Sequence, residues 1–182
     1  KIPDAEERAL ESSMERALAG GLQVVAASAA HGAEAQAYRE RYARTLAELA
    51  RTVSASALSV VVDAAHGAAS PFAVAALAAT GATVLPFAMG DGVINDGVGA
   101  TDPAALGERV RAHGADLGIA LDGDADRVIF SDASGTTVSG DRILALCALA
   151  LKEEGKLSGN SMVCTVMSNL GLHEAMRKAS IG

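Results

Sequence analysis

Three short apolar runs, separated by two helical patterns, constrain the fold of this chain most strongly. The first run, LSVVVD, is apolar over almost its whole length, which is typical of a strand buried on both faces of a sheet. Strands that alternate with helices in the order β-α-β-α-β predict a parallel sheet with right-handed crossovers. The predicted strands occupy residues 58–63, 83–88 and 116–121.

The two helices between these strands carry start and stop signals. Pro71 and Pro103 suit first helical positions, where the missing N–H costs nothing. The preceding residues, Ser70 and Asp102, are then expected to cap the helices. A glycine ends each helix.

The remaining segments predict an α/β fold: a mixed, mainly parallel sheet flanked by helices, followed by the start of a second, similar α/β domain. In the predicted helix 141–154, the inner face is expected to consist of Leu144, Cys147, Ala148 and Leu151. The segment 22–30 reads as a short strand or a linker. The other predicted elements are helices at 4–19, 33–50 and 170–179, a strand at 127–132, and a buried strand at 161–167.

Composition limits the classes of partner. The chain has 182 residues, with 15 Lys and Arg against 22 Asp and Glu, so its net charge is −7. A surface of this sign repels nucleic acid and anionic membranes, and we expect neither as a partner. The apolar runs are much shorter than the ~20 residues that span a bilayer, and a signal peptide is not evident. Cys147 and Cys164 lie in apolar contexts, which predicts two buried thiols in a cytoplasmic protein.

The stretch DGDADR places three aspartates, Asp122, Asp124 and Asp126, directly after the third predicted strand. Ligands of parallel α/β sheets collect at the carboxyl ends of strands. Alternating carboxylates repel one another unless a cation that prefers oxygen ligands joins them. A divalent metal site is therefore favoured over the alternative, a solvated acidic turn. An EF-hand is excluded because Arg127 and Ala133 stand where that loop needs Gly and Glu.

Arg127 follows the aspartates directly and has two possible roles. It is either a phosphate contact or an ion-pair partner of one of the carboxylates. Three carboxylates leave positions of an octahedral Mg²⁺ open for water or for a phosphate oxygen. Such a metal is typical of phosphoryl transfer, where it neutralises the charge that develops on the transferred group.

The motif DGDADR resembles the metal-binding loop of the α-D-phosphohexomutases. Further segments have the order and spacing of the phosphoglucosamine mutases within that family, and the resemblance covers nearly the whole chain from Leu58 onward. These segments are VVVDAAHGAAS, GVINDGVGATDPAAL, DGDADRVIFSDASGTTVSGDRIL and TVMSNLGL.

The resemblance implies an isomerase that converts glucosamine 6-phosphate to glucosamine 1-phosphate, a step toward cell-wall precursors. In this family a phosphoserine exchanges its phosphoryl group with the sugar, and Mg²⁺ joins the phosphoserine to three aspartates. By position these ligands would be Asp122, Asp124 and Asp126, and Arg127 would be the catalytic cation beside them. A phosphomannomutase or phosphoglucomutase, or a non-catalytic metal-binding module, stays open as an alternative.

The same resemblance implies a domain organisation. Residues 1–20 would end domain one, residues 21–132 would form domain two with the metal loop, and residues 133–182 would begin domain three. The family's phosphoserine loop and sugar-selecting loop do not occur among these 182 residues. We therefore expect the hexosamine phosphate substrate to bind only the whole enzyme, and the chain alone to be inactive. The oligomeric state is left open.

Three further features have weaker functional signals. His66 lies in the loop after the first strand, where a packing role is favoured over a substrate contact. The glycine-rich run 90–99 lacks the spacing of a dinucleotide-binding motif and is expected to form a mobile loop near the cleft. Asp141 is expected to cap the helix that it begins.

Overall fold

The computed structural model describes residues 3–20 and 32–182. The predicted strand or linker at 22–30 lies outside these ranges. The chain divides into two compact units, residues 1–39 and 40–182. Helix α1 spans Asp4–Ala19, and helix α2 spans Gly32–Ala50. The predicted domain boundaries after residues 20 and 132 stay predictions. Among the described residues, the helices are either too short or too polar to cross a membrane.

The sheet of the second unit has five strands in the order β2-β1-β3-β4-β5. The first three are parallel, as the alternating pattern predicts, and the last two are antiparallel, which makes the sheet mixed. The predicted α/β fold is confirmed. The strands are β1 Ser59–Asp63, β2 Thr83–Phe87, β3 Leu117–Leu121, β4 Val128–Asp132 and β5 Thr137–Val138.

Helices α3 (Ala73–Ala78) and α4 (Ala104–His113) connect the parallel strands. Helix α4 packs on one face of the sheet and buries Leu106 and Val110 against Val61 and Ala120. Gly118 permits this close approach, because a Cβ there would lie 2.7 Å from a methyl carbon of Val110.

The predicted caps of these two helices are wrong. Neither Ser70 nor Asp102 caps a helix, since α3 begins after Phe72 and α4 begins after Pro103. Neither helix has a capping side chain at its N-terminus. Residues 67–73 instead form successive turns held by backbone hydrogen bonds, such as that from Ser70 N to Gly67 O at 3.1 Å. The turn therefore needs no side-chain cap. Gly114 ends α4 in the left-handed conformation, as predicted.

Helices α5 (Gly140–Glu153) and α6 (Leu170–Lys178) form a smaller cluster in the last part of the chain. Ala148 of α5 is buried with Leu172 and Met176 of α6. Of the predicted inner face of α5, only Ala148 is buried: Leu144 and Leu151 are each 40% exposed. Among the described residues, the cluster around Ala148 is built mainly from α6 and from the segment 157–164, and it covers only part of α5.

Three further predictions for this region are wrong. Residues 161–167 form no strand, and Val163 and Val166 are almost completely exposed, because no described strand pairs with them. Cys147 is an exposed thiol rather than a buried one, and Cys164 is half-buried. Asp141 does not cap α5: Ser139 does, and Asp141 instead accepts the backbone N–H of Asn169 at 3.1 Å.

Candidate metal centre

The metal loop, residues 122–127, joins β3 to β4 at the carboxyl edge of the parallel strands. Leu121 pairs with Val128 in the antiparallel ladder, so both ends of the loop are held by the sheet. Within the loop, Ala125 adopts a left-handed conformation with φ 61°. This turn lets the carboxylates of Asp122, Asp124 and Asp126 share one side of the loop.

The structure brings the three predicted ligands together. One carboxylate oxygen from each of Asp122, Asp124 and Asp126 lies within 4.8 Å of the other two. Asp122 is buried at the base of the cluster, whereas Asp124 and Asp126 are exposed. Oxygens on opposite sides of one Mg²⁺ are about 4.2 Å apart, twice a ligand distance of about 2.1 Å. Small rotations of the two exposed side chains would therefore suit a single divalent cation.

Arg127 forms an ion pair with Asp122. Its backbone N donates to Asp122 Oδ1 at 3.1 Å, and its Nε donates to Oδ2 at 2.7 Å. Burial alone would raise the pKa of Asp122, but the hydrogen bonds from Arg127 outweigh it and lower that pKa to about 2. Asp122 is therefore ionised at neutral pH. Of the two roles considered for Arg127, the ion pair is present in the structure; the phosphate contact stays a prediction, and the Arg127 side chain is 65% exposed.

The pKa of Asp126 shifts in the opposite direction to that of Asp122. The neighbouring carboxylate of Asp122, followed by the charge of Asp124, raises the pKa of Asp126, although Arg127 at 3.5 Å opposes this. The cluster thus contains repulsion that its one arginine does not remove. A doubly charged cation would relieve that repulsion. Carboxylate oxygens are also the ligands that a hard cation such as Mg²⁺ prefers.

A fourth aspartate, Asp63, lies at the same end of the sheet as the metal loop, and the sequence analysis did not identify it. It ends β1 and is completely buried. Burial raises its pKa, which backbone hydrogen bonds from Ala65 and Gly99 partly oppose. The signal that could have indicated it is an acidic residue that ends a wholly apolar run, at the edge where parallel sheets bind ligands.

The loop that contains His66 and the glycine-rich loop 90–99 both lie beside the metal loop. His66 Nδ1 hydrogen bonds the carbonyl of Gly90, and its ring is half-buried against Gly92, which agrees with the predicted packing role. The glycine-rich loop contacts the metal loop through Ile94, since a Cβ on Gly123 would lie 2.4 Å from its side chain.

An apolar groove of about 440 Å³ also reaches the metal loop. It lies between the second half of α2 and α3, and it ends at Asp124 and Ala125. Tyr42 and Phe72, whose rings meet edge to face at 5.1 Å, form part of its wall. The lining offers few polar groups, so we do not assign the groove to a sugar phosphate.

Comparison with known proteins decides the family. Residues 36–135 match the model of the phosphoglucomutase/phosphomannomutase alpha/beta/alpha domain II, and residues 139–182 match that of domain III. The chain belongs to the phosphoglucomutase/phosphomannomutase family. The resemblance that the metal-loop motif suggested is thereby confirmed.

Curated members of this phosphoglucomutase/phosphomannomutase family resemble the whole chain. A protein of Frankia casuarinae named phosphoglucosamine mutase is 50% identical over 184 residues, covering 100% of this chain and 40% of that protein. One of Mycobacterium ulcerans with the same name is 45% identical over 183 residues, with the same coverage. One of a Parafrankia species is 58% identical over 126 residues, covering 68% of this chain and 27% of its own.

The chain thus spans about 40% of the length of the curated relatives that match it from end to end. Among solved structures, a phosphoglucomutase/phosphomannomutase family protein from Burkholderia thailandensis superposes with a TM-score of 0.56 at 23% identity. The match covers 76% of this chain and 31% of that one, and it supports the fold alone.

Proposed function

We propose that this chain is part of a phosphoglucosamine mutase, an isomerase that interconverts glucosamine 6-phosphate and glucosamine 1-phosphate. The observation that carries the proposal is the convergence of Asp122, Asp124 and Asp126 at the carboxyl edge of the sheet. The names of relatives that are 45–50% identical over the whole chain support the choice of sugar. A charged hexosamine phosphate does not cross a membrane unaided, so we place the reaction in the cytoplasm.

In this proposal the three aspartates hold Mg²⁺. When bound, Mg²⁺ neutralises negative charge that develops on the phosphoryl group during its transfer. Asp122 is the pre-ionised, buried ligand, held by Arg127, and the two exposed aspartates adjust to the cation. The Arg127 side chain is 65% exposed in spite of its ion pair with Asp122, so its guanidinium would also reach the phosphate of a hexosamine phosphate substrate.

The nucleophile would belong to another part of the enzyme. A phosphoserine loop of the family's type does not occur in the sequence of this chain. We therefore expect that the 182-residue chain binds Mg²⁺ but does not convert glucosamine 6-phosphate. Turnover by the chain alone would contradict this division of roles.

A chimeric enzyme tests the role of the cluster in catalysis. Residues 3–182 would replace the matching segment of the Frankia casuarinae phosphoglucosamine mutase, and conversion of glucosamine 6-phosphate would be measured. Because a bound cation contributes several kcal/mol to the transition state, Asp124→Asn should lower kcat/KM by at least about a hundredfold. The control is Asp102→Asn, an exposed aspartate outside the cluster. Equal activity of the two variants would refute the assignment.

The alternatives are separated by different measurements. The gene on both sides of this chain should encode a phosphoserine loop upstream and a sugar-selecting loop downstream, and the whole protein should prefer glucosamine 6-phosphate. Preference for mannose 6-phosphate or glucose 6-phosphate would favour the other mutases. Mg²⁺ binding without any upstream nucleophile would favour a non-catalytic metal-binding module.

A further inference from the structure

Asp63 is a buried carboxylate that the proposed mechanism does not use. It lies at the end of β1, its exposed fraction is 0%, and both of its oxygens accept backbone hydrogen bonds. Oδ1 accepts from Ala65 N at 2.8 Å, and Oδ2 accepts from Gly99 N at 2.7 Å. A buried carboxylate is costly unless such bonds compensate for lost water, so a residue of this kind needs an explanation.

The two hydrogen bonds join two different loops. Ala65 belongs to the loop that follows β1, and Gly99 belongs to the loop between β2 and α4, 34 positions later in the chain. A direct bond from Asn95 N to Ala65 O, at 3.2 Å, links the same two loops. Asp63 is thus the common anchor of both segments.

Each of these loops in turn holds the backbone of the metal loop. Ala100, next to Gly99, donates its N–H to Leu121 O at 2.9 Å. Ala68, in the loop after β1, donates its N–H to Gly123 O at 2.8 Å. The two accepting carbonyls belong to the residues on either side of Asp122, the buried member of the acidic cluster.

We propose that Asp63 is a positioning residue, which fixes the backbone on both sides of Asp122 through the loops that contain Ala68 and Ala100. The inference rests on the proposed function, because it concerns the affinity of the same cluster for Mg²⁺. Asp63 itself does not touch the cluster: it acts through two backbone hydrogen bonds and the two loops that they order.

The test substitutes Asp63→Asn. An amide has a single acceptor oxygen, so one of the two backbone N–H groups loses its partner and faces a donor. Mg²⁺ would be titrated into the ¹⁵N-labelled 182-residue chain, and the dissociation constant read from the amide shifts of Gly123 and Ala125. Groups that orient metal ligands typically change affinity 10–100-fold, and for this indirect case we expect weakening of about tenfold.

Asp116→Asn is the control for loss of a hydrogen bond from backbone to carboxylate at a position remote from the metal loop; unlike Asp63, Asp116 is exposed. Asp116 also accepts a backbone N–H, that of Ser59 at 2.8 Å, and it links β1 to the start of β3. It lies at the opposite edge of the sheet from the metal loop. We expect Asp116→Asn to lower stability and leave the Mg²⁺ affinity within about twofold of wild type. Equal affinities of the Asp63→Asn and Asp116→Asn variants would overturn the inference.

A measurement on the wild type covers the case in which Asp63→Asn does not fold. Mg²⁺ should slow amide hydrogen exchange several-fold at Ala68, Gly99 and Ala100, and leave Ser59 unchanged. Slowing that is confined to residues 122–127 would overturn the inference while the metal site stands. Failure of Mg²⁺ to shift any amide of the wild type would instead refute the proposed metal site, and with it the role of Asp63.

Discussion

Substitution of Gly67 by alanine tests how closely the loops at the carboxyl edge depend on one another. A Cβ on Gly67 would lie 2.3 Å from Gly123 O and 2.7 Å from its carbonyl carbon. Both contacts are with backbone of the metal loop, so no flexible side chain can move away. Ordinary contact begins near 3.4 Å, and the two loops must therefore separate by about 1 Å.

The cost follows from this displacement. Overpacking of a close contact costs about 1–3 kcal/mol. Replacing a glycine also restricts the unfolded chain, which returns about 0.4–1 kcal/mol. We expect a net loss of about 1–2 kcal/mol in the free energy of unfolding, and a fall in Tm of about 2–8 °C. Because metal sites tolerate only about 0.2 Å in ligand distance, Mg²⁺ affinity should fall by at least about tenfold.

Two other glycines of the same unit provide matched controls. At Gly107 a Cβ would lie 2.3 Å from Gly135 O, an equal backbone clash that does not involve the metal loop. At Gly140, the first residue of α5, a Cβ would meet nothing within 4 Å. Urea unfolding and Mg²⁺ titration of the three alanine variants should therefore give three different results.

The expected pattern is specific. Gly67→Ala should lose both stability and metal affinity. Gly107→Ala should lose stability alone, and a smaller amount, because Gly107 lies inside α4 and alanine there regains up to about 1 kcal/mol of helix stability. Gly140→Ala should lose neither, and should gain up to about 1 kcal/mol of helix stability. If Gly67→Ala binds Mg²⁺ as tightly as Gly107→Ala, the loop after β1 does not control the metal loop, and the reasoning is refuted.

Three further predictions concern stability. Leu106→Ala should cost about 2–5 kcal/mol in urea unfolding, because this side chain of α4 is completely buried against the sheet; a cost below 1 kcal/mol would contradict that packing. Asn169→Ala removes the acceptor for Leu172 N and should cost about 1 kcal/mol, measurable in the same assay, whereas no change would mean that α6 is capped otherwise. Hydrogen bonds from Ser134 and Thr136 lower the pKa of Asp132, so its ionised carboxylate stabilises the fold above pH 3.8 and this contribution is lost as the pH falls below that value. Asp132→Asn should therefore reduce the dependence of the free energy of unfolding on pH in that range.

The bounds of the three parallel strands could be predicted from the sequence to within one residue, because each strand is a local signal. The run that ends at Asp63 is apolar and β-branched, and the observed β1 differs from the prediction by one residue at its start. The position of the acidic cluster was likewise local, since it needs only a strand end followed by alternating carboxylates. Helices α1 and α2 also match their predicted spans to within one residue.

What the sequence could not supply depends on partners far along the chain. The burial of Asp63 becomes clear only when Gly99 is seen to donate to it. Conversely, the apolar segment around Val163 has the composition of a buried strand, but a strand also needs a hydrogen-bonding neighbour, and none of the described strands provides one. The exposed face of α5 is a similar case, because its periodicity is helical but Leu144 stays 40% exposed among the described residues.

The arrangement of the sheet explains why the acidic cluster can be both exposed and held in place. The three parallel strands bring the loops after β1, β2 and β3 to one edge. The turn to antiparallel pairing at β4 closes the third loop as a hairpin whose ends are fixed at Leu121 and Val128. The other two loops then hydrogen bond that hairpin at Leu121 and Gly123. Changes at Asp63 or Gly67, which are outside the cluster, should therefore alter metal binding, because they act on the backbone that sets the carboxylate positions.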